Sequence, residues 1–589
     1  MSLKTSMRTH VCGELTGNDE NKRVSLVGWV SARRDHGGVI FIDLRDRYGI
    51  TQIVFNPDFK DFKAAEHLGR EFVMQVNGTV KKRKQGMENP KLKTGSVEVF
   101  ADSLNVISKS EVPPIEIDDR IVANEDVRMK YRYLDLRRQA MQNNMVVRHK
   151  AAQVARDYLS RNGFIEIETP MLVKPTPEGA RDYVVPSRVN PGRFYALPQS
   201  PQLYKQILMV AGFDRYFQLA RCLRDEDLRA DRQPEHTQID IEMSFANPED
   251  VFAIGEGMLK AVFKDVINVD IKTPFKRIPY KTAMEKYGSD KPDLRFGMEL
   301  VDVTKIAGQS DFSVFKNAVD EKGIIKCMVI PSNVPRKELD ELIEFVKVYR
   351  AEGMAWAKLQ NGKLESAIVK YLSDDVQNEI IKAVGIKNDQ TLVFIADKEK
   401  ITNDSLSAVR KEMGKRLKLY DEKELNFCWI VDFPLFEWNE DENKWDPAHH
   451  PFCMPIEKDI ERIESDPGSV HCTQYDLVLN GVEMCSGSVR INNPEIQRKV
   501  FNVIGINEEE AESKFGFLLN AYKYGGPIHA GFGMGFDRLV AMMVGLSDIR
   551  EVIAFPKNKA AECPMDGSPI ELSQRQLKEL SIKVDMAKR

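Results

Sequence analysis

Hydrophobic residues in the first part of the chain alternate with polar ones, which is the pattern of half-buried β-strands. Valine, isoleucine and aromatic residues form five short runs, separated by Gly, Asp and Asn, at residues 24–30, 39–44, 50–55, 72–80 and 97–107. Five strands within about 100 residues are typical of a small closed barrel of the OB type. We therefore predict such a barrel at residues 1–111.

A helical pattern replaces the strands after a stiff break at Val112, Pro113 and Pro114. Apolar residues recur on one helical face from 141 to 162, and Gly163 follows as a stop signal. Residues 165–167 then alternate as a strand would.

Residues 291–424 have a different character. Amphipathic helices at 337–352 and 404–419 alternate there with strands at 327–331 and 391–396, and few residues suit a catalytic site. This stretch is predicted to be an inserted α/β module in an α+β multidomain chain. The predicted bounds are barrel 1–111, hinge 112–140, core 141–290, insertion 291–424, second part of the core 425–556 and C-terminal extension 557–589, with a helix at 573–580.

Composition narrows the class of protein. Of the 589 residues 42% are hydrophobic and 30% charged, which excludes disordered and fibrous classes. The longest apolar runs are far shorter than the roughly 18 residues of a membrane span, and no secretory leader pattern opens the chain. The eight cysteines include no CxxC pair, so we expect no zinc and a cytoplasmic protein.

Net charge is 85 − 89 = −4, so a nucleic acid would have to bind at a local basic cluster. The barrel offers Arg33, Arg34 and the basic run 81–84. A solvated hairpin tip would explain that run as well. Phe41 and Phe55 favour nucleic acid, because bases stack on aromatic rings while cations hold phosphates.

Three later segments concentrate charge or glycine. Residues 221–240 mix arginines with carboxylates, which fits either a surface salt-bridge lattice or a phosphate site. Residues 531–538 alternate glycines and end in Arg538, but no βαβ unit supports a dinucleotide fingerprint. Asp476 and Glu483 lie on one predicted hairpin, and such a carboxylate pair is either incidental or a site for nucleotide-bound Mg²⁺.

At these residues the chain resembles a known family. Residues 163–170, 217–226 and 531–538 resemble motifs 1, 2 and 3 of the class II aminoacyl-tRNA synthetases, and the barrel resembles their aspartyl, asparaginyl and lysyl subgroup. Residues 176–182 and 199–205 resemble the aspartyl branch, and the insertion resembles its bacterial GAD domain. Two departures are Cys485-Ser486-Gly487, where a glycine run is usual, and residues 531–534.

The resemblance implies ATP-dependent attachment of L-aspartate to tRNA through an aspartyl-adenylate, with no side-chain nucleophile. The catalytic residues would be Arg224 and Arg538, and Asp476 and Glu483 would bind Mg²⁺. The implied ATP contacts are Arg224, Asp225, Glu226, Gln233, Glu483, Gly535, Phe536, Asp537 and Arg538. The implied aspartate contacts are Glu178, Gln202, Lys205, Arg224, Asp240, His449 and Arg490. Lys205, His449 and Arg490 would form a cationic pocket for the side-chain carboxylate, which disfavours asparagine.

The barrel would then read the anticodon through Arg34, Phe41 and Gln52. His36 and Gly86 resemble the synthetases that aspartylate both tRNA-Asp and tRNA-Asn, although neutral variation would also explain two positions. The alternatives are an enzyme that charges tRNA-Asp only, an asparaginyl enzyme, and a non-catalytic RNA-binding paralogue. Motif 1 implies a homodimer.

Overall fold

A computed structural model describes residues 3–121, 123–175 and 180–585. Contacts divide the chain into two compact units. The first unit comprises the residues up to Val146 and the segment Arg550–Glu571. The second unit comprises Val147–Ile549 and the residues from Leu572 onwards. Within the described residues, no helix has both the length and the apolar character needed to cross a membrane.

The predicted barrel is confirmed. Its strands close in the order β1-β2-β3-β5-β4. Alternate side chains, such as Ile40, Ile42 and Leu44, point into a fully buried core, so the other set faces outward. The elements are β1 Arg23–His36, β2 Val39–Asp46, β3 Gly49–Phe55, α1 Phe62–Glu66, β4 Val73–Lys82 and β5 Val97–Ser108.

A buried carboxylate organises the segment after the barrel, which contains α2 Glu125–Lys130 and α3 Arg132–Asp135. Asp135 is fully buried and accepts hydrogen bonds from Arg128, Arg132 and Arg138 at 2.7 to 3.1 Å. Such a charged group is tolerated in an interior because its partners surround it.

The second unit contains an eight-stranded sheet in the order β11-β17-β20-β21-β22-β10-β9-β6. Its six central strands are antiparallel and only the two outermost pairs are parallel, so the predicted antiparallel core is confirmed. The first elements are α4 Gln139–Arg161, β6 Ile165–Glu166, β7 Val184–Pro186, β8 Phe194–Ala196, α5 Gln202–Val210, β9 Arg215–Leu223, β10 Glu235–Ser244, α6 Pro248–Ile267, β11 Lys276–Pro279 and α7 Tyr280–Tyr287.

The stretch predicted as an insertion forms a separate sheet, ordered β12-β13-β16-β14-β15, with an apolar cluster on each face. The predicted helix at 337–352 ends early at Lys347, because Arg350 takes a left-handed conformation (φ 70°). The elements are β12 Leu300–Asp302, α8 Thr304–Ala307, α9 Ser313–Asp320, β13 Ile324–Ile330, α10 Arg336–Lys347, β14 Ala355–Gln360, β15 Lys363–Glu365, α11 Asp374–Val384, β16 Gln390–Asp397 and α12 Glu399–Arg416.

Chain segments that enter and leave this smaller sheet meet each other. The Asn426 side-chain amide is 3.5 Å from the Leu294 carbonyl oxygen, and Asn426 and Asn480 exchange further hydrogen bonds. Asn480 lies in the turn of the β20–β21 hairpin. The closing elements are β17 Phe427–Val431, β18 Phe436–Asn439, β19 Lys444–Pro447, β20 Gln474–Leu479, β21 Val482–Val489, α13 Pro494–Val503, α14 Glu508–Tyr522, β22 His529–Gly535, α15 Phe536–Met543 and α16 Gln574–Glu579.

Candidate active site

A cleft of about 590 Å³ lies against the central strands β10, β21 and β22 of the large sheet. The period of two along β10 places His236, Gln238 and Asp240 on its wall. Gln202 and Lys205 also reach the wall, since they lie one turn apart on α5. The cleft thus joins side chains that are far apart in sequence.

Four buried charges lie together at the cleft: Lys205, Asp240 and Arg490 line its wall, and Glu242 contacts Lys205 and Arg490. Lys205 Nζ donates to Asp240 Oδ1 at 3.0 Å and lies 3.4 Å from Glu242 Oε2. Arg490 Nε donates to Glu242 Oε1 at 3.0 Å. Two positive and two negative charges therefore balance within this quartet, which offsets the cost of burying them.

The quartet corrects the expected cationic pocket. The sequence suggested that Lys205 and Arg490 present free positive charge, but Asp240 and Glu242 already neutralise both. Arg490 also uses every N–H donor it has, the remaining acceptors being His450 Nε2, Ser488 Oγ, Glu242 Oε2 and the Gly531 carbonyl oxygen. Any carboxylate that binds there must take the place of an acceptor already present.

The pKa values of the two carboxylates in the quartet shift in opposite directions. Burial raises the pKa of Asp240, although Lys205 opposes the shift. At Glu242, burial acts in the same direction, but the charges of Arg490 and Lys205 outweigh it and lower the pKa. The difference follows the geometry, because Asp240 Oδ2 has no hydrogen-bond partner among the described residues.

Three buried N–H donors at the cleft, like the acceptor Asp240 Oδ2, have no hydrogen-bond partner among the described residues. They are Gln202 Nε2, Arg224 Nε and Arg538 Nε. Leaving buried polar atoms unpaired costs about 1–3 kcal/mol each, so four on one cleft are typical of a site that a polar ligand completes.

The cleft wall also includes the predicted nucleotide residues Arg224, Glu226, Gln233, Gly535 and Arg538. Arg538, in the first turn of α15, donates through Nη1 to the Glu483 carbonyl oxygen at 2.5 Å and through Nη2 to Asp231 Oδ2 at 3.4 Å. Arg232 pairs with Glu226 at 3.1 Å.

Asp537 is held rigidly beside Arg538. Its carboxylate accepts from Arg148 Nη1 at 2.5 Å and from the Thr237 backbone N–H at 2.7 Å. It lines the cleft and is almost fully buried, so it fixes the start of α15 against β10.

His236 was missed by sequence reasoning. Burial, and then the charges of Arg224, Arg221 and Arg538, lower its pKa to about 3. The imidazole is therefore neutral at physiological pH and adds no charge to an arginine-rich wall.

Three predicted site residues do not reach the wall that the described residues form: Asp225, Phe536 and Asp476. Asp225 lies on an exposed loop, bridged through its backbone to Arg181. The Phe536 ring is buried beneath the Arg148 guanidinium at 4.9 Å, because an apolar ring gains more from the core than from a polar cleft. The predicted aspartate contact Glu178 lies outside the described residues.

Asp476, one of the two predicted metal ligands, makes contacts to protein side chains in this structure. Its buried carboxylate accepts from Gln474 Nε2 at 2.9 Å and lies 3.3 Å from His449 Nε2. Burial opposes ionisation, but these contacts keep the pKa of Asp476 low. Burial likewise opposes the charge on His449, but Asp476 outweighs it and raises the pKa of His449 to about 9. Asp476 thus pairs with His449, and only Glu483 faces the cleft.

The glycines of motif 3 serve two purposes. Gly533 and Gly535 line the cleft, as expected. A Cβ at Gly531 would lie 2.1 Å from the Ile241 carbonyl oxygen, and one at Gly487 would lie 2.1 Å from that of Gly531. Those two glycines therefore permit close strand approach within the sheet.

The predicted anticodon residues share the outer face of the barrel. Arg34 makes two hydrogen bonds of 2.7 Å to Asp43, and Gln52 donates to Glu98 at 2.9 Å. Phe41 lies opposite Arg34 on the neighbouring strand, half-buried, with the exposed His36 ring 6.0 Å away. Sequence reasoning missed Asp43 and Glu98, which orient the two polar side chains.

Gly86 lies in the β4–β5 connection with a left-handed backbone (φ 84°) and open space where a Cβ would point. Any other residue there would be strained by its backbone and not by crowding.

Comparisons with known proteins cover nearly the whole chain. The family described as tRNA synthetases class II (D, K and N) matches residues 124–559, and the family described as OB-fold nucleic acid binding domain matches residues 24–107. A Caldanaerobacter subterraneus protein named aspartate–tRNA(Asp/Asn) ligase is 52% identical, with 98% of each chain covered. A Treponema denticola protein of the same name is 51% identical, with 99% of this chain and 100% of the relative covered.

A Ruminiclostridium cellulolyticum relative, 48% identical over 98% of each chain, is named aspartate–tRNA ligase. Among solved structures, asparaginyl-tRNA synthetase from Pyrococcus horikoshii in complex with asparaginyl-adenylate matches with a TM-score of 0.59 at 19% identity, covering 93% of this chain and 97% of that one. That likeness concerns the fold. The family match and the near-complete relatives show that this chain belongs to the class II tRNA synthetases of the D, K and N group.

Proposed function

We propose that this chain attaches L-aspartate to tRNA in two steps, through an aspartyl-adenylate. The observation that carries the proposal is the charge quartet joined to a cleft with four unpaired buried polar atoms. The names of the relatives, aspartate–tRNA(Asp/Asn) ligase in most cases, support the same activity.

Aspartate would bind at the quartet. Its ammonium group would donate to the unpaired Asp240 Oδ2. Its side-chain carboxylate would replace His450 and Ser488 as acceptor for Arg490 Nη1. Asparagine would be disfavoured because its NH₂ group would face the N–H donors of Arg490, so discrimination depends on donor direction and not on net charge. The contact assigned to Glu178 stays a prediction.

In the first step, an α-carboxylate oxygen of aspartate attacks the α-phosphorus of ATP, the bond to the β-phosphate breaks, and pyrophosphate leaves. Arg224, with an unpaired Nε at the cleft, would bind the phosphate on which charge builds, and Arg538 would bind the far end of the triphosphate. Holding both substrates in line supplies much of the remaining rate, so no side-chain nucleophile is needed.

In the second step, a ribose hydroxyl at the tRNA 3′ end attacks the activated carbonyl carbon, and AMP leaves. The acyl group is then esterified to the tRNA, and the hydroxyl proton passes to the departing phosphate or solvent. The quartet would keep the aspartyl side chain in place during this transfer.

Mg²⁺ would assist ATP binding, and the residues fit it in part. Glu483 presents a carboxylate on the wall, whereas Asp476 is committed to His449 and Gln474. The described residues contain no group of three or more side chains placed to hold a metal. Mg²⁺ often takes one protein carboxylate together with phosphate oxygens and waters, and it neutralises phosphate charge when bound.

Arg538→Ala should lower aspartate-dependent ATP–pyrophosphate exchange about 100- to 1,000-fold in kcat/KM for ATP, because it removes a fixed charged donor to the far end of the triphosphate, which leaves as pyrophosphate. Arg336→Ala, which removes an exposed arginine paired with Asp340 in the insertion, is the matched control and should leave exchange intact. Exchange that persists near the wild-type rate in Arg538→Ala would show that motif 3 has another role.

The outer face of the barrel would read the anticodon. A base would stack on Phe41, and Arg34 and Gln52, aligned by Asp43 and Glu98, would bond its edge.

Phe41→Ala should reduce kcat/KM for tRNA charging about 10-fold or more, since stacking of a base is lost, while adenylate formation is unchanged. Phe41→Tyr retains a stacking ring and should charge tRNA normally. If Phe41→Ala reduces exchange and charging equally, the ring has a structural role instead.

Both tRNA-Asp and tRNA-Asn are proposed as substrates. The residues His36 and Gly86 support this proposal, and so do the names of the relatives. Purified transcripts of the two, tested with labelled aspartate, should be charged at comparable rates. His36→Leu should reduce charging of tRNA-Asn more than of tRNA-Asp. Charging of tRNA-Asp alone by the wild type would restrict the substrate, and asparagine-dependent exchange would indicate an asparaginyl enzyme.

The chain is proposed to form a homodimer. It is also proposed to act in the cytoplasm, and its inserted module is proposed to be a domain of the GAD type. Strand β6 is an edge of the large sheet. Large apolar side chains are exposed on β6 and in the chain segments next to β6, β9 and β10: Ile165, Met171, Leu172, Phe213 and Phe245. Exposed apolar side chains of this size favour association. None of the eight cysteines, all of which lie in the described residues, forms a disulfide, as is usual in a reducing compartment. Sedimentation should give twice the 67.2 kDa chain mass, and a monomer at micromolar concentration would contradict the dimer.

A further inference from the structure

Lys291 lies on the cleft wall although it belongs to the segment that leads into the inserted sheet. It follows α7 and precedes β12, and its Nζ is 2.9 Å from Glu483 Oε2 and 3.7 Å from Asp290 Oδ2. The ion pair uses one of the three N–H donors of the ammonium group. The side chain keeps 39% of its surface exposed, so it can exchange partners.

Glu483 stands between two cations. Its carboxylate faces Lys291, and its backbone carbonyl accepts from Arg538. Lys291 therefore lies beside the residue that would bind the far end of the triphosphate. A chain of phosphates carries several negative charges, and one arginine neutralises only part of them.

Two other cations on the wall, Lys205 and Arg490, are committed to the buried quartet. Arg232 is a partly exposed cation with one glutamate partner, Glu226. Lys291 differs from Arg232 in its place, because it is a partly exposed cation beside Glu483, whose backbone carbonyl binds Arg538.

The inserted module holds this segment in place. Arg410, buried on α12, donates through Nη2 to the carbonyl oxygens of Asp293, Phe296 and Gly297 at 2.7 to 2.8 Å. Asp293 in turn packs beside Gly481 in the β20–β21 turn, where an added Cβ would lie 3.3 Å from the Asp293 Cβ. The backbone on the C-terminal side of Lys291 is therefore fixed against the hairpin that carries Glu483.

We infer that Lys291 is a substrate-binding residue for the β- and γ-phosphates of ATP and for the pyrophosphate that leaves, supplied by the linker to the inserted module. This inference rests on the proposed function. When the triphosphate enters, the Lys291 ammonium turns from Glu483 towards phosphate oxygens, which would leave the Glu483 carboxylate to hold Mg²⁺. As a compact point charge, lysine suits phosphate oxygens that move apart as pyrophosphate departs.

The experiment compares Lys291→Met, Lys291→Arg and the control Lys286→Met in aspartate-dependent ATP–pyrophosphate exchange. Lys286 also pairs with a glutamate, Glu299 at 3.1 Å, but it lies on α7 away from the cleft wall. Lys291→Met should raise the KM for ATP and for pyrophosphate about 10- to 100-fold, because a charged hydrogen bond is lost. The KM for aspartate and the melting temperature should stay unchanged, Lys291→Arg should recover most of the loss, and Lys286→Met should match the wild type.

Two results would overturn the inference. One is a wild-type KM for ATP and pyrophosphate in Lys291→Met. The other is a defect that excess Mg²⁺ abolishes, since Lys291 would then act only as a counter-ion that positions Glu483. Absence of aspartate-dependent exchange in the wild type would instead contradict the proposed function, and binding of ATP to wild type and Lys291→Met, measured by calorimetry, would still test Lys291 alone.

Discussion

The balance of charge among Lys205, Asp240, Glu242 and Arg490 is the constraint on which the second unit depends. Each of the four is costly inside a protein by itself, and removing one partner of a buried pair typically costs about 3–5 kcal/mol. Lys205 comes from α5, Asp240 and Glu242 come from β10, and Arg490 directly follows β21. The helix, the register of the sheet and the cleft are therefore specified together.

The same balance explains why the strands above the cleft carry such small residues. Gly487 and Gly531 bring β21, β22 and β10 close enough for the Arg490 guanidinium to reach both Glu242 and the Gly531 carbonyl oxygen. A side chain at Gly531 would also meet Glu242 itself, whose Oε2 lies 2.5 Å from the position of an added Cβ. Backbone geometry and charge pairing in this part of the sheet thus support one another.

The sequence predicted the barrel strands, the long helix after the hinge and the segments that line the cleft, because alternation, stop signals and motif spacing are local properties. It could not show which charges face one another. Glu242 lies in an ordinary strand pattern, and its partner Arg490 is 248 residues away. The sequence also could not show that Asp476 pairs with His449 or that the ring of Phe536 is buried, because tertiary packing determines both. Lys291 was not singled out, because the sequence placed it at the start of the inserted module, where few residues suited a catalytic site.

The contact between Leu294 and Asn426 determines how easily the size of the inserted module can change. The chain enters the inserted module near Leu294 and leaves it near Asn426, and these two residues are in contact. The module is therefore connected to the large sheet through two neighbouring chain segments. Loop-closure entropy rises only slowly with length, and a domain spliced in at such a point leaves the strands around it undisturbed. Chains with a larger module there, a smaller one or a simple turn would therefore be compatible with the same sheet, and the size of this module is free to change without altering the core that carries the cleft.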